Sequence, residues 1–416
     1  MRPDLDNRNW PVPFNRRARK EAPKQAGLLH QAGTRSFVSE GYVLAKELAI
    51  KGTLRPLPPG ESAITALEVG RKYVFGATSG RRAHVFAYNP EPAREAVIPV
   101  ACLEEHAGVR NSLIWLDGYG LVAGTTGGVE DDSKSGELFR IPVPHVGDVI
   151  QEWGGSPSEP EALGVPVKGE GIACMVGDPA RRMAYGLTAE TGMIFGFDAK
   201  NEEIRCYEPV DQLGRFSPHL LMGPDGFLYG CATAGQIIQW DPDREESRET
   251  GLFLPSMAGR SNYSEVGDWA LDVQSGLIYA GDVADGLVSM IDVAAGEVRV
   301  LGKPTRQSHV RAIAVAADGR VYGVAGERDK ICHLFCYHPP TREMRDLGVL
   351  VAGTERRWYG YEFECAVASA DGRVYFGESE RVSHLFVYFP PLKPVTGTES
   401  SCLEAPKEIG PSGSQL

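Results

Sequence analysis

Two histidines stand where polar connections turn into apolar strand text: His219 before Leu220-Leu221-Met222, and His309 before Val310-Arg311-Ala312-Ile313. An imidazole titrates near neutral pH, so either can take a proton from a ligand or hold a metal through a ring nitrogen. Arg215, Arg260, Arg306 and Arg311 occupy the same kind of transition. A guanidinium fork grips a carboxylate through two charge-assisted hydrogen bonds, so these four are the expected readers of an anionic ligand. Tyr263 adds a phenol that neighbouring arginines would make more acidic, while Tyr359 and Tyr361 offer rings that stack on a substrate or pack a rim. His219, His309 and Tyr263 are therefore the candidate catalytic groups, and Arg215, Arg260, Arg306, Arg311, Tyr359 and Tyr361 the candidate substrate-binding ones. Each has a plainer alternative: histidines that satisfy loop backbone, arginines paired with Glu265 and Glu362, and tyrosines that pack loops.

Glu170, Asp268 and Glu364, with Asn111 or Asn262, form a different set, oxygen donors of the kind a hard divalent cation takes. The chain contains no phosphate-cradling GxxxxGK[ST], no HExxH and no GxSxG, which argues against nucleotide hydrolysis, zinc peptidase and ordinary serine hydrolase chemistry. His84, His333 and His384 open three similar runs, His-Val-Phe-Ala-Tyr, His-Leu-Phe-Cys-Tyr and His-Leu-Phe-Val-Tyr. Recurrence in one slot predicts a structural job for them. The eight cysteines have no CxxC pairing, and Cys231, Cys332, Cys336 and Cys365 fall in apolar text, as small core residues do.

What positions these groups is a repeat. An aromatic or aliphatic run closing on glycine occurs seven times, as Tyr73 to Gly76, Leu121 to Gly124, Met183 to Gly186, Phe227 to Gly230, Leu277 to Gly281, Arg320 to Gly323 and Arg373 to Gly377. The closings are about 50 residues apart, the length of a four-stranded blade with its loops. Asp-Gly turns recur ahead of them at Asp117-Gly118, Asp225-Gly226, Asp318-Gly319 and Asp371-Gly372. The fold expected is all-β, a seven-bladed propeller with four-stranded blades.

The seventh repeat shows three strands and no fourth. Because ring closure removes an exposed edge, a strand from residues 35 to 57, where Tyr42-Val43-Leu44 and Leu48-Ala49-Ile50 lie, is expected to complete it. Residues 1–34 read as an N-terminal extension, 35–390 as the propeller and 391–416 as a flexible tail. The segment from Pro144 to Glu170 reads as one long connection. In such a ring the loops before each inner strand and between second and third strands share one face, where function is expected.

A formal charge of -12 over 416 residues argues against nucleic acid or an acidic membrane surface as partner, though a local arginine cluster still admits a small anion. No apolar run is long enough for a transmembrane helix, and no apolar core follows the basic start as in a signal peptide. The expected compartment is the cytoplasm, or the periplasm or exterior where a leader has been removed.

Leu228-Tyr229-Gly230 followed by Gly235-Gln236-Ile237-Ile238-Gln239-Trp240-Asp241, and the run His384-Leu385-Phe386-Val387-Tyr388, resemble repeats of the seven-bladed propellers that include virginiamycin B lyase and the oligogalacturonate and ulvan lyases. The resemblance extends over approximately residues 60–390. It implies proton abstraction beside a carboxylate or carbonyl and loss of a leaving oxygen, in some members by histidine with tyrosine or arginine, and in oligogalacturonate lyase with a metal. The expectation is β-elimination on a uronate-containing saccharide. Arg215, Arg260 or Arg311 would hold the carboxylate, one of His219 and His309 would take the proton, and the other or Tyr263 would protonate the leaving oxygen. A divalent metal, manganese or calcium, is the cofactor considered. Two alternatives stand beside it: a non-enzymatic ligand-binding or protein-interaction propeller, and a metal-dependent lactone or ester hydrolase using Glu170, Asp268 and Glu364.

Overall fold

The computed structural model describes residues 37–50, 55–91, 95–127, 135–143, 145–146, 149–150, 159–210, 216–256, 264–352 and 357–391. Seven four-stranded antiparallel sheets follow one another along the chain. Their inner strands are Ala63–Gly70, Leu113–Leu116, Ile172–Asp178, Phe216–Met222, Val266–Asp272, His309–Val315 and Phe363–Ala368, blades 1 to 7 in order. Each inner strand packs against the next, and the seventh packs against the first, which closes the ring. Among the described residues no helix is long and apolar enough to cross a membrane.

The closing glycines have a steric cause. In blades 1, 3 and 6 the third strand lays a phenylalanine ring on the glycine of the second, so that a Cβ at Gly76, Gly186 or Gly323 would meet Phe86, Phe195 or Phe335 at 2.2, 2.3 and 2.4 Å. Glycine is kept there for close approach rather than for a turn. An aromatic residue one or two positions before the closing glycine works between blades. Tyr375 meets Tyr88 of the next blade edge-on at 5.6 Å, Tyr322 meets Tyr388 at 5.2 Å and Tyr185 meets Trp240 at 5.4 Å. Such contacts place the core in layers between adjacent blades, for example Ala312, Tyr322 and Val324 against Phe363, Phe376 and Tyr388.

The expected N-terminal strand is present as the outer strand of blade 7. Tyr42–Glu47 pairs antiparallel with His384–Phe389, from Tyr42 opposite Phe389 to Glu47 opposite His384. Tyr42 and Phe389 stack at 4.2 Å, Glu40 forms an ion pair with Arg345, and the Tyr388 hydroxyl donates to the Glu40 carbonyl at 3.2 Å.

One expectation is corrected. The segment from Pro144 to Glu170 is not a plain connection, because Glu161–Gly164 within it is the fourth strand of blade 2, paired with Leu138–Ile141. A two-residue hairpin, His145–Val146 with Val149–Ile150, precedes it. The extension 1–34 lies outside the described residues, as does the tail beyond Pro391.

Candidate functional site

The inner strands share an irregularity that shapes the mouth of the ring. One or two positions before the residue opposite the closing glycine, pairing with the second strand skips Thr65 in blade 1, Ala173 in blade 3, Gly267 in blade 5, Arg311 in blade 6 and Glu364 in blade 7. In blade 4 the skipped stretch runs from Ser217 to His219. A bulge re-aims the side chain it carries. Arg311 is accordingly exposed although Val310 and Ala312 on either side are buried.

Arg311 lines a pocket of about 410 Å³ between blades 6 and 7. His309 joins it from the same strand, Glu327 and Arg328 from the turn between the second and third strands of blade 6, and Tyr361, Glu362 and Ser379 from blade 7. The Ser308 hydroxyl sits 3.3 Å from His309 Nδ1 and donates to Glu327 at 3.2 Å, and Lys330 closes an ion pair with Glu327. The Lys330 ammonium, with Ser308 behind it, holds the Glu327 carboxyl below the usual range. Cys332 Sγ donates to the Tyr361 carbonyl at 2.7 Å, fixing the blade 7 wall.

The field of Arg311 reaches further than this pocket. It helps burial push His219 of blade 4 down to about 4, and it adds to burial in lowering His309. Glu265 and Glu362 are raised, chiefly by burial, with Arg311 working against the rise in both. Among the described residues neither acid forms an ion pair with it, so the guanidinium acts on two imidazoles and two carboxyls through its field.

His309, Arg311 and Tyr361 line the pocket, and His219 lies within reach of the Arg311 charge without lining it. Arg306 is exposed in the connection leading to blade 6 and Tyr359 pairs with Val351 in a small hairpin; neither lines the pocket. Arg215, Arg260 and Tyr263 lie outside the described residues.

The oxygen set does not converge. Glu170 accepts from the Thr191 hydroxyl at 2.8 Å, Asp268 accepts the Ile313 N–H at 2.8 Å, and Asp268 and Glu364 meet only in their common influence on Cys365. Among the described residues no three His, Cys, Asp or Glu side chains are placed to hold a metal ion.

The recurring histidines serve three different partners. His84 Nε2 lies 3.1 Å from Glu61, His333 Nδ1 lies 2.9 Å from Asp346, and the His384 ring packs 3.8 Å from Trp358. Glu378, buried after the closing glycine of blade 7, accepts both the His384 N–H at 3.0 Å and the Trp358 indole N–H at 2.8 Å. Glu327, Arg328 and Ser379 were not singled out from the sequence. Their signal was there, because they follow the closing runs of blades 6 and 7 in turns that share the functional face.

No protein-family model matches this chain, and no curated protein does. Its fold is similar to that of the WD40 beta propeller domain of Doa1, with a TM-score of 0.53 and 10% identity over 83% of this chain and 97% of that one. Two structures of the extracellular domain of BT4673 from B. thetaiotaomicron are similar at a TM-score of 0.53 and 10% identity. They match over 82% and 85% of this chain, which spans only 39% and 40% of theirs. At such identity the likeness is one of fold, a seven-bladed ring able to carry binding or catalysis.

Proposed function

We propose that this is a ligand-binding propeller whose site, between blades 6 and 7 at the mouth of the ring, takes a small carboxylate such as the uronate of an anionic saccharide. The observation that carries the reading is Arg311, turned out of its strand by a bulge and lining a pocket of about 410 Å³. A guanidinium so presented has both edges of its fork to offer a carboxylate. The pocket size falls within the range of small-molecule sites.

β-Elimination is the second reading, and His219 favours it. Burial and the Arg311 charge keep its imidazole neutral at pH 7, the form that accepts a proton. A group pushed down to about 4 is nevertheless a weak base at that pH, so binding takes precedence over catalysis.

Isothermal titration with glucuronate and oligogalacturonate, with and without manganese or calcium, tests both. Arg311→Ala is expected to weaken binding by about tenfold or more, the loss of a charged hydrogen-bonding partner. Absence of binding by the unaltered protein would overturn the site. Growth of the ultraviolet absorbance of an unsaturated uronate, abolished by His219→Ala, would promote the lyase reading.

A further inference from the structure

We propose that the pocket selects a zwitterion, a small molecule bearing an ammonium group as well as the carboxylate; the inference rests on the carboxylate-binding reading above. The two walls differ in sign. Blade 6 contributes Arg311 and Arg328, while blade 7 contributes Glu362, with Glu364 and Glu380 close enough to add their charge to it. Glu327 also lines the cavity, but its charge is already met by Lys330 and by hydrogen bonds from the Ser308 hydroxyl and N–H.

Glu362 has no such provision. The one described cation paired with it is Arg328, 3.8 Å away on a side chain that is 88% exposed, where solvent screening leaves the pair weak. Burial and the like charges of Glu380 and Glu364 raise its carboxyl, which expresses an unmet demand for positive charge. Arg311 and Glu362 line the same cavity of about 410 Å³ without forming an ion pair with each other. A plain uronate would satisfy Arg311 and turn hydroxyls, or a second carboxylate, toward an acidic wall. An ammonium group on the far side of the ligand answers both walls, and charge complementarity of this kind ranks the zwitterion above a simple anion, which still binds through Arg311.

Titration calorimetry on the full chain at low salt decides the matter. The probes are glucuronate, 2-amino-2-deoxyglucuronate and a series of unbranched amino acids from glycine to 6-aminohexanoate, each amine compared with its N-acetylated form. At least one free amine is expected to bind about tenfold or more tighter than its acetylated partner, the worth of one charge-assisted contact. Glu362→Gln should bring that ratio close to one, and Glu297→Gln, on the outer strand of blade 5 and outside the pocket lining, should leave the ratio unchanged.

Binding that depends on Arg311 but shows no preference for a free amine at any spacing would overturn this inference and leave the carboxylate site standing. No binding by any carboxylate would remove both. A preference that survives Glu362→Gln would also overturn it, since the acidic wall would then not be its source. The comparison of free and acetylated amines on the unaltered protein decides the outcome even if that variant does not fold.

Discussion

Glu68, on the inner strand of blade 1, accepts the N–H of Trp115 from the next inner strand at 3.3 Å, and Asp268 makes the corresponding stitch from blade 5 to Ile313. Enclosure pushes the Glu68 carboxyl up to about 8, against an ordinary value of 4.5. Between those two values the folded chain retains a proton that the unfolded chain has released, so this group makes stability fall as pH rises through the interval. Glu68→Gln is expected to raise Tm by a few degrees at pH 8, on the order of 1 kcal/mol, and to do so much less at pH 5. Equal melting of the two proteins at pH 8 would show that the carboxyl ionises there without penalty. Side-chain environments of this kind were the least legible part of the sequence. Arg311 could be placed at the start of an inner strand, yet its exposure comes from a skipped pairing opposite Val324 and Ala325, which no local pattern reports. Glu362 read only as a partner for arginine, because Glu380 is brought beside it by the pairing of Phe363–Ala368 with Val374–Glu378.

At the scale of elements, the pairing of glycine with a facing phenylalanine is a stringent demand. Alanine at Gly323 would set its Cβ 2.4 Å from Phe335 and 2.9 Å from the Ala312 carbonyl, and both neighbours are held in a packed interior. Gly323→Ala is expected to destabilise the protein by about 1–3 kcal/mol, and adding Phe335→Leu should recover part of the loss in denaturant melts. A neutral single variant would mean that the blade can relax more than its packing suggests. The repeat itself was legible because every blade closes its second strand on that glycine, which in blades 1, 3 and 6 lies under a facing phenylalanine. The fourth strand of blade 2 was not, since Glu161-Ala162-Leu163-Gly164 is short, carries little apolar text and lies with its side chains partly or fully in solvent. Its pairing is supplied by Leu138–Ile141, not by its own pattern.

For the whole molecule, the strand Tyr42–Glu47 joins sequence positions more than three hundred residues apart. Removing residues 1–47 should leave Phe389 without its stacking partner, Arg345 without Glu40, and the third strand of blade 7 as an open edge. The truncated chain is expected to lose cooperative melting and to self-associate on size-exclusion chromatography, and a peptide of residues 37–50 should restore the monomer. Retention of the full melting temperature would make the closure ornamental. This closure was legible from a deficit, three strands in the last repeat and surplus apolar text before the first, but the register was not, because it is set by Phe389 and Tyr388 at the other terminus.

The same clasp fixes an order of events during synthesis. Tyr42–Glu47 leaves the ribosome ahead of every inner strand and has no partner until His384–Phe389 has been made, so the nascent ring stays open until the seventh blade is complete. Blades can form as they appear, since their internal pairings are local, whereas the last step waits on a contact between distant ends. A chain that stops short of residue 384 therefore leaves Tyr42–Glu47 without its partner, and with it an open edge of the kind that invites association.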